Sequence, residues 1–247
     1  MNNDYTDINV VQDKSGSMAE LRDETIGGFN TFLADQQKAP GVAKMTLMQF
    51  DTTFKLLYSG EDIKKVEPLT HATYAPGGGT ALLDAIARTI ITTGQRLEAM
   101  PEQERPGRVI VVILTDGQEN SSVEYGGHDG HKRVMEMIEH QTKTYNWQFL
   151  FIGAQQDAIQ GGGRIGVAAA NSISTANTSK GIRMAYAHTS DNLRAYRAAS
   201  PDEVQFMEFS AEQRDQQLAE GAVPDALSAK PGHAKDQAKD KSKSKTA

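Results

Sequence analysis

The stretch D-K-S-G-S-M at 13–18 leaves an apolar run, I-N-V-V-Q, and at once presents an acid and two hydroxyls. Asp13, Ser15 and Ser17 stand at alternate positions. A second stretch, A-P-G-G-G-T-A-L-L-D at 75–84, places Thr80 at the end of a glycine-rich loop that opens a helix. A third, T-D-G-Q-E-N at 115–120, puts Asp116 directly after the apolar run R-V-I-V-V-I-L-T. One Ser or Asp suffices to cap a helix, so three oxygen side chains between 13 and 17 exceed that need. Two carboxylates and three hydroxyls, with no His and no thiolate, suit a hard cation such as Mg²⁺. Mn²⁺ and Ca²⁺ fit the same donors. Mg²⁺ prefers octahedral geometry at about 2.1 Å and keeps some of its water, which leaves a position for an outside ligand.

The elements that must bring these residues together follow from periodicity. Ile8–Val11 reads as a strand. Residues 18–37 read as a helix, with Leu21, Ile26, Phe29, Phe32 and Leu33 on one face. Gly27-Gly28 weakens that helix or lets it pack closely on a neighbour. M-T-L-M-Q-F (45–50) and F-K-L-L-Y (54–58) flank Asp51-Thr52-Thr53 and predict a hairpin. A helix runs from the glycine-rich loop to about Leu97. The run at 108–115 is continuously apolar and β-branched, as in a strand buried on both faces of a parallel sheet. Further along come a helix at 131–144, a buried strand at 147–153 and a short helix from Asp157. A small strand near 167–173 and a helix at 178–199 complete the series. This alternation predicts an α/β fold: a Rossmann-like open, mostly parallel sheet with one antiparallel edge strand and helices on both faces. Ligands of such sheets bind beyond the carboxyl ends of the strands, where the three stretches would meet.

Other chemistries fit these residues less well. A phosphate-binding P-loop needs Lys after its last Gly and a strand just before the loop. Here Thr80-Ala81 follows Gly79 and no strand ends at Ala75. A phosphoryl-accepting Asp of the haloacid-dehalogenase type has a second Asp two residues on, and Ser15 stands there. Ser15 and Ser17 lie outside any G-x-S-x-G elbow. His128-Asp129-Gly130-His131 with Glu124 is not a common zinc spacing and reads as a solvated loop. Glu119 and Asn120 either shape the rim of the Asp116 site or cap the next turn.

The three motif pieces in this order, D-K-S-G-S, G-G-T-A-L and T-D-G, resemble the von Willebrand factor type A (vWA) family over residues 5–200. The resemblance implies a metal-ion-dependent adhesion site (MIDAS) built from Asp13, Ser15, Ser17, Thr80 and Asp116. It implies a protein-interaction module, not an enzyme, in which a partner's acidic residue completes the shell of a divalent ion. A shift of the loop at 116–120 that changes how Asp116 meets the ion would change partner affinity. Partners implied by intracellular relatives are assembly components, including ATPases. Two positions depart from the family pattern: Gln12 precedes the Asp where an apolar residue is common, and Lys14 puts a cation beside the site. A Mg²⁺-dependent phosphohydrolase using the same carboxylates is the alternative from another class. A loop-stiffening structural metal, or self-association, are the others.

The bulk numbers bound the setting. The chain has 247 residues and a net charge of −6, but residues 230–247 hold six Lys against two Asp. The acidic remainder disfavours nucleic acid as a partner. Without Cys there are no disulfides or thiolate sites. No apolar run approaches ~18 residues, and the N-terminus lacks a basic segment leading into an apolar core, so a cytoplasmic location away from membranes is expected. Residues 1–200 are expected to form the vWA-like domain, 201–215 an extension packed on it, and 216–247 a disordered Lys-rich tail.

Overall fold

Each inner strand must be apolar on both sides, because helices cover both faces of the sheet. β1 (Asn2–Asp13) follows this in part: Ile8 and Val10 enter one core and Val11 the other, while Asp7 and Asn9, buried on the Val11 side, are paired with Arg96 and Thr93. The computed structural model describes residues 1–154, 157–200 and 207–227. After β1 and a short 3₁₀ turn (Gly16–Leu21) come α1 (Arg22–Lys38), β2 (Val42–Phe50), β3 (Phe54–Asp62) and α2 (Leu82–Glu98). Then follow β4 (Pro106–Thr115), α3 (Gly130–Tyr145), β5 (Gln148–Ala154), α4 (Ala158–Arg164), β6 (Ser172–Thr175), α5 (Ser179–Ala198) and α6 (Ala211–Ala219).

The sheet order is β3-β2-β1-β4-β5-β6. All neighbours run parallel except β2 and β3, which form the expected antiparallel hairpin at one edge. One core holds Phe29, Phe32 and Leu33 of α1 with Ile182 and Tyr186 of α5. The other holds Ile86 and Ile90 of α2, Val134 and Ile138 of α3, and Phe149 and Phe151 of β5. α1, between β1 and β2, packs on one face and α2, between β3 and β4, on the other, and this switch sets β1 beside β4 at the centre of the sheet with Asp13 and Thr115 at their ends.

Only one of the two adjacent glycines in α1 serves close packing. A Cβ on Gly28 would lie 2.4 Å from Tyr186 Cδ2, whereas a Cβ on Gly27 meets nothing within 4 Å. Tyr186 then reaches across the core to donate to Gln12 Oε1. The unusual Gln12 is thus a buried partner for α5, and its own Nε2 donates to the Asp13 carbonyl at 3.1 Å.

The C-terminal boundary differs from the expectation of loose chain from 216 onward. Gln217 is fully buried within α6. Its Oε1 accepts from Thr175 Oγ1 at 2.9 Å and from Ala176 N at 3.1 Å, and its Nε2 donates to Gly181 O at 3.0 Å. Arg214 forms a buried ion pair with Asp225 at 3.1 Å. Packing therefore continues at least to Asp225. Its anchors are polar, which explains why no apolar periodicity announced it. The expected Lys-rich tail falls on residues outside those described, beyond 227. Among the described residues no helix is long and apolar enough to cross a membrane.

Candidate metal centre

Asp13 is the last residue of β1 and is wholly buried. Its carbonyl accepts from Tyr74 Oη at 2.7 Å, which fixes the strand end. Its carboxylate accepts from Ser15 N at 2.7 Å and from Thr115 Oγ1 at 2.6 Å. The turn that follows brings Ser15 Oγ and Ser17 Oγ within 3.1 Å of one another. Ser17 Oγ in turn donates to Asp116 Oδ1 at 2.7 Å, across from the end of β4. The other oxygen, Asp116 Oδ2, is buried and has no protein partner. Thr80 closes the set: a Cβ on Gly117 would come 3.1 Å from Thr80 Oγ1, so that hydroxyl sits close against the Asp116 turn. The structure therefore brings all five sequence-derived residues together beyond the carboxyl ends of the central strands β1 and β4.

No protein-family model and no curated protein matches this sequence. Solved structures match by shape. Proximal thread matrix protein 1 from the mussel byssus has a TM-score of 0.51 and 17% identity, over 78% of this chain and 46% of its own. The pilus adhesin SpaC from Lactobacillus rhamnosus GG has a TM-score of 0.53 and 14% identity, over 77% of this chain and 30% of its own. The PilB minor pilin from Streptococcus sanguinis has a TM-score of 0.51 and 12% identity, over 81% of this chain and 64% of its own. This chain has the vWA fold. It spans less than two thirds of the length of each of these proteins. The mussel protein has also been solved with zinc occupying its MIDAS motif.

The electrostatics of this cluster are set by burial of its two carboxylates. Burial pushes the Asp13 carboxyl up to about 6, against the hydrogen bonds from Thr115 and Ser15, and the nearby Asp116 adds to the rise. Burial also raises Asp116, opposed by the bond from Ser17. Two carboxylates held in low dielectric with too few donors are costly as anions. A divalent ion offsets that cost, and the partnerless Asp116 Oδ2 is an acceptor with nothing in the protein to accept from. The donor set fits Mg²⁺-class ions: hard oxygens, two of them charged. Among the described residues no three His, Cys, Asp or Glu side chains gather to hold a metal, so this centre rests on two carboxylates and three hydroxyls. His128 is exposed beside Asp129, and Glu124 pairs with Arg88 at 3.3 Å, so the 124–131 segment is surface loop and helix start.

Lys14 does not face the centre. It pairs with Asp51 of the β2–β3 turn, both side chains being largely buried. Asp51 also accepts from Thr53 N at 2.6 Å, and together the two partners hold its carboxyl below the usual range although burial works the other way. The cation expected beside the site is thus neutralised by Asp51, and Lys14 locks the 13–17 turn to the hairpin. Gly77 N donating to Lys14 O at 2.8 Å and Gly79 N donating to Thr52 Oγ1 at 2.8 Å tie the glycine loop into the same assembly.

The loop after Asp116 is held with unusual completeness. Asn120 N and Ser121 N donate to Thr80 O at 3.0 and 3.2 Å. Ser121 N and Ser122 N donate to Glu119 Oε1 at 2.9 and 2.7 Å. Val123 N, Glu124 N and Tyr125 N all donate to the Asp84 carboxylate, at 2.8, 3.2 and 2.6 Å. Glu119 Oε2 meanwhile accepts from Leu83 N at 2.9 Å at the start of α2, where a carboxylate is favoured by the helix dipole. Glu119 thus caps the start of α2, and Asn120 fastens this loop to the backbone of Thr80. Asp84 and Thr115 were not anticipated. Asp84 in the first turn of α2 was the available signal, since acids are favoured there.

Proposed function

We propose that this chain is a metal-dependent protein-binding module, with a divalent ion, Mg²⁺ in a cytoplasmic setting, held by Asp13, Ser15, Ser17, Thr80 and Asp116. The observation that carries this reading is the buried, partnerless Asp116 Oδ2 set against a second buried carboxylate and three hydroxyls. When bound, the ion supplies positive charge and an exchangeable position that a carboxylate from a partner fills. The protein's own part is to hold five oxygens in a fixed cluster. Thr115 and Ser15 N orient Asp13, Ser17 orients Asp116, and Asn120 orients the backbone of Thr80. The partner is a protein presenting an exposed acidic side chain, such as a component of an assembly or a remodelling ATPase.

Affinity capture with wild type and Asp13→Ala, each with Mg²⁺ and with chelator, tests this. A protein retained only by wild type with Mg²⁺ supports the reading. Retention of the same proteins in all four conditions contradicts it. Turnover of a phosphate ester that disappears in Asp13→Ala would favour the hydrolase alternative instead.

A further inference from the structure

The segments 13–17, 74–80 and 115–120 meet at the metal centre, and each is fastened to the other two. Between the first and second, Tyr74 Oη donates to Asp13 O at 2.7 Å, Gly77 N to Lys14 O at 2.8 Å and Gly16 N to Gly78 O at 3.1 Å. Between the second and third, Asn120 N donates to Thr80 O at 3.0 Å and Thr80 N to Asn120 Oδ1 at 2.8 Å. Between the third and first, Thr115 Oγ1 donates to Asp13 Oδ2 at 2.6 Å, where β4 and β1 end as parallel neighbours. A closed ring of this kind does not widen on one side alone. Drawing Thr80 away from Ser15 and Ser17 stretches bonds on both sides of Thr80.

Of the three bonds between 13–17 and 74–80, two run from backbone to backbone, and Tyr74 supplies the third from its side chain. Tyr74 is fully buried. Its own carbonyl accepts from Arg22 Nε at 3.0 Å, and the Asp13 carbonyl also accepts from Gln12 Nε2 at 3.1 Å. Loss of the Tyr74 hydroxyl would therefore loosen this joint without freeing either segment. The joint bears on which ion fits. Mg²⁺ needs oxygens at about 2.0–2.1 Å in a near-octahedral array, whereas Ca²⁺ takes about six to eight oxygens at about 2.3–2.6 Å in looser geometry. A centre that can spread loses the first arrangement before the second.

Resting on the function proposed above, we infer that Tyr74 is a positioning residue for ion choice: through the Asp13 carbonyl it keeps the 13–17 turn and Thr80 at the separation a small divalent ion requires, and so biases the centre against Ca²⁺. It touches no ion itself. It acts by denying the two loops the freedom that a larger ion would use.

Tyr74→Phe keeps the buried ring and removes the hydroxyl. Calorimetric titration of the full chain with Mn²⁺, as the probe for small ions, and separately with Ca²⁺ gives the affinity ratio. Mn²⁺ affinity is expected to fall roughly tenfold in Tyr74→Phe, at the lower end of the effect of residues that orient metal ligands, with Ca²⁺ affinity unchanged. Tyr58→Phe is the control. It removes a hydroxyl that holds the same stretch of chain further back, by donating to Glu67 O at 2.8 Å, and should keep the wild-type ratio. If Tyr74→Phe does not fold, Gln12→Met, which removes the other donor to the Asp13 carbonyl, takes its place with the same expectation. Equal losses for the two ions, no change in either, or the same shift in Tyr58→Phe would overturn this inference and leave the metal-dependent reading standing. Absence of Mn²⁺ binding by wild type would overturn both.

Discussion

Thr80 and Asn120 hold each other in both directions: Asn120 N donates to Thr80 O at 3.0 Å, and Thr80 N donates to Asn120 Oδ1 at 2.8 Å. The loop that carries Asp116 and the loop that carries Thr80 are therefore one unit at their closest approach. Movement of one drags the other. A shift of the 116–120 loop that alters only Asp116, as the resemblance to other vWA domains suggested, would have to break this pair.

Asn120→Ala removes one half of the pair and leaves all five donor side chains in place. Residues that orient metal ligands typically contribute about 10–100-fold to metal affinity. We expect Mn²⁺ affinity, measured by calorimetric titration, to fall by roughly tenfold while the chelated protein melts within a few degrees of wild type. Unchanged affinity would mean that the two loops position their ligands independently.

Glu119 supports the same loop by accepting from Leu83 N, Ser121 N, Ser122 N and Ser122 Oγ. Truncation to Ala leaves part-buried donors without partners, at a cost of about 1–3 kcal/mol. Denaturant unfolding of Glu119→Ala should show that loss, and amide exchange should accelerate first at 121–122. Glu119→Gln keeps an acceptor oxygen and should lose less. Equal stability of all three proteins would remove Glu119 from the account of the loop.

The glycine pair of α1 gives a sign test of the packing. Gly28→Ala forces the Tyr186 ring away from its place, because the added Cβ lies 2.4 Å from Cδ2. Overpacking of this kind typically costs about 1–3 kcal/mol. Gly27 is exposed with open space around it, so Gly27→Ala should stabilise by up to ~1 kcal/mol through helix propensity. Paired thermal melts decide the matter. A stabilising Gly28→Ala would contradict the α1–α5 contact.

His188 couples α5 to the C-terminal helix, with Nε2 at 2.9 Å from Gln216 Oε1 and a buried, partnerless Nδ1. Burial holds its imidazole below the ordinary value of 6.5, and Gln216, Asp191 and Glu212 only partly restore it. The folded state thus binds fewer protons than the unfolded state just below pH 6.5. The resulting stability is present in full above that pH and is lost as pH falls toward the depressed folded value. Wild type should lose more Tm than His188→Gln between about pH 7.5 and about pH 5.5. Parallel loss in the two proteins would refute this.

How much of this was legible beforehand depended on the kind of contact. Asp13, Ser15, Ser17, Thr80 and Asp116 were readable because their types and their places after strands and before a helix are local properties. The sheet was readable from the apolar run at 108–115 and the hairpin flanking Asp51. Asp84 and Glu119 were not, since a carboxylate that accepts backbone N–H groups from a distant loop leaves no periodic trace. The direction of Lys14 depended on the β1–β2 pairing that brings Asp51 alongside it. The packing of Gln217 and Arg214 was hidden for a related reason: polar anchors in a segment that looks solvated. The departure at Gln12 made sense only once Tyr186 was found across the core.

The most direct measurement is a Mn²⁺ titration followed by electron paramagnetic resonance, on wild type and Asp13→Ala, with the fold of each checked by circular dichroism. A single saturable site in wild type that disappears in the folded variant is expected. Equal Mn²⁺ binding by the two proteins, or none by wild type, would contradict the assignment of a metal centre to Asp13 and its neighbours.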